Sequence, residues 1–242
     1  MGKIYVVGIG PGGMEHMTLK AKEVIEKCPA VVGYTKYIEM IMPMLGEKEI
    51  FATGMMGEIQ RIKEALEIAK HKDVAVISTG DAGIYGMAGL MLQMKEDVEV
   101  QVIPGVTASS AAASVVGAPL MHDNCNISLS DLLTPYELIK KRVELAAEGD
   151  FIISFYNPRS KKRKDYLKEA LDIIRKYRDE KTPVAVVKNA LRMGEEVHLF
   201  TLSNFDFEVV DMLSIVIVGN SQSYYKDGKF ITPRGYENKE EF

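Results

Sequence analysis

The chain has 242 residues, enough for one large or two small domains, and its 47% hydrophobic content supports a real core rather than disorder. Its net charge of −4 gives no sign of a nucleic-acid-binding protein. The two cysteines, Cys28 and Cys125, form no disulfide framework or paired metal-ligand spacing, which favours a reducing cytoplasm. No signal-peptide pattern opens the chain, and no apolar run approaches the roughly 20 residues that span a bilayer. We therefore expect neither a nucleic-acid nor a membrane partner.

Strands alternate with helices in the first half of the chain. Thr18 is a good N-cap for the first helix, in which we expect Leu19, Val24 and Ile25 to face a core. The pattern predicts strands over 3–7, 30–34, 74–78 and 98–103 and helices over 18–28 and 58–72.

The first strand is followed by GIGPGG (8–13), which matches the spacing of a dinucleotide-binding fingerprint. Two features argue against that function. Pro11 stiffens the loop and the helix begins only near Thr18, and the next strand leads into Thr35 instead of an acid that could hold a ribose. The loop is then either a tight turn or a backbone that approaches a small ligand.

A second glycine-rich loop, TGDAGIYG (79–86), follows the buried strand VAVIS. Asp81 could simply cap a helix that begins near Ile84. However, ligands of open α/β sheets bind at the carboxyl ends of strands, so two such loops suggest one shared ligand.

The stretch from Pro104 to Tyr136 joins the two halves. Small residues fill 107–116, and the following 121–134 is crowded with polar groups. We expect this stretch to end one domain, open the next and line a cleft between them. The predicted domains are 1–118 and 119–242.

The second half repeats the alternation of helices and strands. Its elements are expected over 135–148, 151–156, 164–178, 183–188, 197–202 and 214–218, with a loosely held polar tail after Lys226. The sequence therefore predicts an α/β protein with two α/β domains.

Three motifs, in this order and spacing, resemble the tetrapyrrole methylase family: GIGPGG with the following MTLKA, STGDAGIYGMAG, and IPGVTASSAAASVVGAPL. The resemblance implies two α/β domains with a cofactor and substrate cleft between them. It also implies S-adenosylmethionine as methyl donor, S-adenosylhomocysteine as product, and a homodimer. MHDNCNISLSDLLTP, FYNPRS and ITPRGY resemble the branch that methylates carbon 17 of a precorrin-3-type tetrapyrrole, either cobalt-containing or metal-free, with ring contraction in cobalamin biosynthesis.

The resemblance also implies site residues. Those expected to bind the cofactor are Pro11, Thr79, Gly80, Asp81, Ile84, Thr107, Ala108, Asn157 and Ala190. Those expected to bind the substrate are Gly10, Thr35, Asp123, Ser128 and Arg159. Related uroporphyrinogen methyltransferases carry an aspartate where Thr35 stands and a lysine near Gly54, so those acid and base roles are not transferred.

Arg159 opens a basic run, RSKKRK, in an otherwise acidic chain. A guanidinium can form a forked pair with a carboxylate on the rim of the macrocycle. The three distal members of the run, Lys162, Arg163 and Lys164, could equally be a solvated helix start.

Ring contraction needs proton transfers, for which His122, Ser130 and Asp131 are the catalytic candidates. His122 comes first because histidine titrates near neutral pH. Alternatively, His122 and Asp123 could lock a hinge by hydrogen bonds. No His, Cys or Asp spacing suggests a protein-bound metal. Two other functions stay open: methylation of another tetrapyrrole carbon, side chain or RNA on the same fold, and a non-catalytic S-adenosylmethionine or corrinoid binder.

Overall fold

A computed structural model describes residues 1–160 and 164–236, so the basic residues Lys161, Lys162 and Arg163 lie outside the described part. The chain divides into two compact units, Met1–Ala108 and Ser109–Phe242, here called unit 1 and unit 2. The division comes before the predicted boundary at 118/119. One reason is that Gly117 and Ala118 pair as a short strand with Phe230 and Ile231, far along unit 2.

Unit 1 is built on a five-stranded sheet in which every neighbouring pair is parallel. The strand order is β3-β2-β4-β1-β5. The strands are β1 (Ile4–Gly8), β2 (Ala30–Tyr34), β3 (Glu49–Thr53), β4 (Val74–Ser78) and β5 (Val100–Ile103). β3 is an edge strand that the sequence had not indicated, because its apolar run, 50–52, is only three residues long and leads into a glycine-punctuated segment.

Helices cover both faces of this sheet: α1 (Leu19–Lys27), α2 (Thr35–Ile41), α3 (Glu58–Ala69) and α4 (Ala88–Met94). The helices α1 and α2 share one core cluster with Val7 and Ile77, while α3 and α4 share another with Val6 and Val76. The side chains of adjacent residues in one strand thus pack on opposite faces of the sheet, as the alternation of a pleated strand requires.

The N-cap prediction for α1 is confirmed, since the Thr18 hydroxyl accepts a hydrogen bond from the Ala21 amide at 3.1 Å. The expectation that Leu19 faces the core was wrong, because its side chain is 88% exposed. Leu19 lies two positions before buried Ala21, and residues two apart on a helix do not share a face.

Unit 2 contains a mixed five-stranded sheet and a small three-stranded one. Its helices are α5 (Ala108–Val116), whose first residue closes unit 1, α6 (Tyr136–Glu148) and α7 (Tyr166–Ile174). Its strands are β6 (Gly117–Ala118), β7 (Asn124–Ser128), β8 (Ile152–Tyr156), β9 (Pro183–Lys188), β10 (Glu196–Thr201), β11 (Ser214–Val218), β12 (Tyr224–Lys226) and β13 (Lys229–Ile231).

The large sheet of unit 2 has the order β10-β9-β11-β8-β7. The strands β7 and β8 are parallel, and both β8 and β9 run antiparallel to β11. It follows that β7, β8 and β9 end at the same edge of the sheet. Apolar side chains of α6 and α7 cover one face, over Phe155, Val186 and Val216.

Two parts of unit 2 differ from the sequence-based expectation. The crowded polar segment contains the strand β7, which pairs with β8 along its whole length. The supposedly loose tail contains β13, whose Phe230 is completely buried and whose backbone pairs with β6. The tail prediction was therefore wrong for residues 229–232.

The first turn of α5 is tied to the end of β8. The amide of Ser109 donates to the Tyr156 hydroxyl at 2.9 Å, and Ser109 is only 3% exposed. The first amides of a helix have no partner within it, so Tyr156 satisfies one that burial would otherwise make costly.

We predict that Tyr156→Phe lowers the free energy of unfolding by about 1–3 kcal/mol, because it leaves a buried amide unsatisfied. Urea denaturation followed by circular dichroism measures this change. Tyr177→Phe is the control, since the exposed Tyr177 hydroxyl only donates to Glu144 at 3.3 Å. We expect the control to stay within about 0.5 kcal/mol of the parent. Equal midpoints for both variants would contradict the assigned role of Tyr156.

Candidate functional site

The carboxyl edge of the unit 1 sheet collects the ligand-binding residues predicted for this unit. Gly10 and Pro11 follow β1, the segment 79–84 follows β4, and Thr107 and Ala108 follow β5. Because β4, β1 and β5 are adjacent parallel strands, these three loops are neighbours. Thr35 follows β2 one strand away, and its hydroxyl donates to the Thr53 carbonyl at 3.0 Å.

The first two loops are joined through their backbones. The Gly10 amide donates to the Gly80 carbonyl at 3.1 Å, and the Gly80 amide donates to the Gly10 carbonyl at 2.7 Å. The Thr79 hydroxyl adds a bond to the same Gly10 carbonyl at 3.2 Å. Gly80 has φ +68°, a conformation that side chains with a Cβ rarely adopt.

Asp81 connects the second and third loops. Its carboxylate accepts from the Gly83 amide at 2.7 Å and from the Gly105 amide at 3.0 Å. A Cβ at Gly105 would lie 2.2 Å from the Gly80 carbonyl oxygen, so only glycine allows this approach. The helix α4 begins only at Ala88, so Asp81 fastens two loops instead of capping that helix. Ile84, between them, is 37% exposed.

The connections that leave β1 and β4 cover opposite faces of the sheet, as the two core clusters of unit 1 show. The carboxyl ends of adjacent strands whose connections depart in this way are where open α/β sheets bind ligands. The structure thus brings together the unit 1 residues for which the sequence predicted ligand contact.

In unit 2 the predicted residues divide between two edges of the large sheet. Ser128 ends β7 and is followed by Ser130 and Asp131, while the residues after β8 and β9 at that same edge include Asn157, Arg159 and Ala190. We call this edge the carboxyl edge of unit 2.

His122 and Asp123 precede β7 and therefore lie at the opposite, amino edge. The five residues of β7 span roughly 16 Å at about 3.3 Å per residue. The three predicted catalytic residues, His122, Ser130 and Asp131, consequently do not form one cluster.

His122 makes local contacts at the amino edge. Its Nδ1 atom accepts a hydrogen bond from the Asp123 amide at 2.8 Å, and its carbonyl accepts from Asn124 Nδ2 at 3.1 Å. The side chain is 45% exposed and lines a polar cavity of about 350 Å³ together with Asp123, Asp150, Asn220 and Arg234.

Asp131 at the carboxyl edge belongs to a small aromatic arrangement. Tyr166 donates to its Oδ2 atom at 2.8 Å and stacks on Tyr136 with ring centroids 3.8 Å apart. Burial, together with the hydrogen bond to Glu169, raises the pKa of the Tyr136 hydroxyl, which therefore stays protonated. The first residue of α7, Tyr166, thus holds the Asp131 carboxylate in place.

The Arg159 guanidinium is anchored within unit 2. Its Nη1 atom donates to the Phe207 carbonyl at 2.6 Å, and its Nη2 atom pairs with the Glu208 carboxylate at 3.2 Å. The Glu208 side chain is 81% exposed and that of Arg159 is 25% exposed.

Two asparagines lie at this edge, and only Asn157 was among the site residues predicted from the sequence. Asn157 and Asn189 are the first residues after β8 and β9, and both adopt left-handed conformations, with φ of 52° and 49°. Asparagine tolerates this region better than most residues, yet such backbone strain concentrates at functional sites. The signal that could have identified Asn189 is its position, because it repeats that of Asn157 directly after a strand that runs in the same direction.

The chemistry available elsewhere in the described residues is limited. Burial raises the pKa of both thiols, Cys28 and Cys125, to about 11, so neither is an activated nucleophile at neutral pH. Across residues 1–160 and 164–236, no three His, Cys, Asp or Glu side chains are arranged to hold a metal ion. No helix in these same ranges is long and apolar enough to cross a bilayer.

Comparison with known proteins places these observations in a family. Residues 3–206 match the family model described as tetrapyrrole (corrin/porphyrin) methylases. The chain is 53% identical over 236 residues to a probable cobalt-factor III C(17)-methyltransferase of Salmonella typhimurium, covering 96% of this chain and 98% of the relative. It is 47% identical to a cobalt-factor III methyltransferase of Priestia megaterium, of whose length it spans 46%.

Among solved structures, the crystal structure of the methyltransferase CobJ has a TM-score of 0.91 and 33% identity, covering 96% of this chain and 100% of that one. The match includes both units, and the family model covers all three glycine-containing loops of unit 1. On the strength of the loop geometry and of similarity along nearly its entire length, this chain belongs to the tetrapyrrole (corrin/porphyrin) methylase family.

Proposed function

We propose that this chain is an S-adenosylmethionine-dependent C-methyltransferase that acts on carbon 17 of a precorrin-3-type tetrapyrrole, with ring contraction, in cobalamin biosynthesis. The observation that carries the proposal is the backbone cradle of Gly10, Gly80 and Asp81, found in a chain 53% identical to a relative named for that reaction. Methylation at another carbon is less favoured because that relative, which is covered almost from end to end, is named for carbon 17.

The carboxyl edge of unit 1 fits the cofactor. Its loops, 8–13, 79–87 and 104–108, contain no lysine or arginine, and they contain one carboxylate, that of Asp81. A carboxylate has about four acceptor positions, of which backbone amides fill two here, so Asp81 can still face a cation. Glycine and small side chains leave backbone groups open to the polar edges of an adenosine.

Pro11, Thr79, Gly80, Asp81, Ile84, Thr107 and Ala108 would hold the cofactor in unit 1, and Asn157 and Ala190 are the candidates in unit 2. When bound, S-adenosylmethionine supplies an electrophilic methyl group. The contribution of the protein is mainly alignment of the donor with the accepting carbon, which can account for a large part of a rate enhancement. The joined loops of unit 1 suit this task because hydrogen bonds between their backbones fix their mutual position.

The carboxyl edge of unit 2 is our proposed substrate surface. Arg159 remains the candidate partner for a peripheral carboxylate, because its present partner Glu208 is exposed and such exposed pairs contribute only about 0–1 kcal/mol. A second cation, Lys188, lies at this edge, where hydrogen bonds to Glu196 and Asp211 raise its pKa and keep it charged.

For the proton transfers we give Asp131 and Ser130 priority over His122. They share an edge with Asn157 and Ala190, whereas His122 lies at the far end of β7. Asp131 accepts a hydrogen bond from the Tyr166 hydroxyl, so a proton relay of carboxylate and phenol is available there.

Anaerobic incubation of the purified chain with S-adenosylmethionine and a cobalt tetrapyrrole, followed by mass spectrometry and absorption spectroscopy, tests the proposal. We expect a mass gain of one methyl group together with a spectrum changed by contraction. Binding of both compounds without any mass gain would instead identify a carrier.

Gly80→Val should weaken binding of S-adenosylhomocysteine by about tenfold or more, equivalent to roughly 1.4 kcal/mol. The free space around a Cβ at Gly80, whose nearest neighbour is 3.7 Å away, is the space that we assign to the ligand. Titration calorimetry provides the measurement. Gly46→Val is the control, because Gly46 has φ +52° and an open surrounding but precedes β3 at the amino edge. Equal affinities in the two variants would show that the cofactor does not bind at this edge.

Arg159→Ala should raise the KM for the tetrapyrrole by about 10- to 100-fold, the loss of one charge-assisted hydrogen-bonded pair, without changing cofactor affinity. Glu208→Gln should lower that KM by up to about fivefold, because it removes the competing carboxylate. Steady-state kinetics on both variants provides the test, with exposed Lys164→Ala as the control. If Glu208→Gln and Arg159→Ala both raise KM, the pair acts only to support the loop.

Asp131→Asn should slow ring contraction by about 10²–10⁴-fold, the usual contribution of a general acid or base, with cofactor affinity near normal. The His122→Ala variant should catalyse ring contraction at nearly the parent rate, because His122 lies at the other edge. Product mass and absorption spectrum, recorded together, separate methylation from contraction. A methylated, uncontracted product from His122→Ala alone would restore His122 as the proton-transfer residue.

A further inference from the structure

The hydroxyl group of Ser128 has both of its acceptor positions filled. Asn157 Nδ2 donates to Ser128 Oγ at 3.0 Å, and the Ser130 amide donates to the same atom at 3.2 Å. A serine hydroxyl has two lone pairs and one proton, so only the proton remains for a further bond. Within residues 1–160 and 164–236, we find no hydrogen bond that this hydroxyl donates.

The backbone holds this arrangement in place. Ser128 is paired with Tyr156 in the register of β7 and β8, and the next amide, that of Leu129, donates to the Tyr156 carbonyl at 2.9 Å. Leu129 is 1% exposed and belongs to the core of unit 2, while Ser128, one residue earlier on the strand, points to the other face. The position of the Ser128 side chain is therefore set by the sheet rather than by a flexible loop.

Asn157 makes its hydrogen bond to Ser128 from a left-handed backbone conformation. Its φ of 52° lies in the left-handed region, which costs most residues roughly 1–3 kcal/mol. A serine there would carry no N–H donor on its side chain, and an aspartate would offer an acceptor instead. The amide of Asn157 thus decides that Ser128 faces outward as a donor.

We propose that Ser128 donates a hydrogen bond to a carboxylate oxygen of a bound ligand at the carboxyl edge of unit 2, and that Asn157 is the residue that positions it. A fixed donor recognises an acceptor, and a carboxylate is the strongest acceptor in either proposed ligand. This inference rests on the proposed function, because both the tetrapyrrole and S-adenosylmethionine carry carboxylates.

Asn157→Asp is the most informative variant. Aspartate has nearly the shape of asparagine and also tolerates the left-handed region, but it supplies an acceptor to which the Ser128 proton can turn inward. We expect Asn157→Asp and Ser128→Ala each to weaken the same ligand by about tenfold or more, as the loss of a hydrogen bond to a charged group predicts. Ser128→Thr retains a hydroxyl and should stay within about threefold of the parent.

Two measurements identify the source of the carboxylate. A raised KM for the tetrapyrrole with unchanged S-adenosylhomocysteine affinity assigns it to the substrate, and a weaker affinity for S-adenosylhomocysteine by calorimetry assigns it to the cofactor. The double variant should be no worse than Ser128→Ala, because both changes remove the same bond. Asn204→Asp is the control for added charge, since Asn204 lies at the opposite edge. Its side-chain oxygen accepts a hydrogen bond from the Thr201 amide at 2.7 Å, and an aspartate oxygen can accept the same bond.

Parent-like binding and kinetics in Asn157→Asp, or additive effects in the double variant, would overturn the inference. These outcomes differ from failure of the proposed function, in which the parent chain itself transfers no methyl group. In that case the calorimetric comparison of parent and variants with S-adenosylhomocysteine still decides the role of Ser128.

Discussion

The reciprocal backbone hydrogen bonds between Gly10 and Gly80 are the constraint on which the site in unit 1 depends. They join the loops after two adjacent parallel strands, and the Asp81 carboxylate then ties in the loop after β5 through Gly105. Any Cβ at Gly105 would meet the Gly80 carbonyl, so the three loops can approach only as glycine backbones. The result is a surface of backbone groups at the edge where α/β sheets bind ligands.

In unit 2 the decisive element is β7. It converts one polar segment of the sequence into two groups at opposite edges of a sheet, with His122 before the strand and Asp131 after it. The parallel pairing of β7 with β8 then places Ser128 beside Asn157, residues that are far apart in sequence. This pairing creates the oriented hydroxyl and also separates the candidate acid–base residues.

Much of the architecture was predictable because local patterns carried it. Buried strands such as β4 and β11 are uninterrupted apolar runs, and Thr18 is an N-cap with the expected bond. Strands without such a pattern were missed. The strands β3 and β7 are largely exposed or polar, and β13 has only three residues, so their pairing partners, rather than their own sequences, make them strands.

The sequence by itself determined the α/β class, the family resemblance and the loops that carry the candidate ligand-binding residues of unit 1, because glycine spacing and apolar runs are local properties. Only the tertiary structure decided which polar residues share an edge, that the Arg159 guanidinium is already paired, and that Phe230 is buried. It also decided that Ser128 is a donor, because this depends on a bond from Asn157 that no local pattern encodes. Side-chain direction follows from strand register, and register is set by partners distant in the chain.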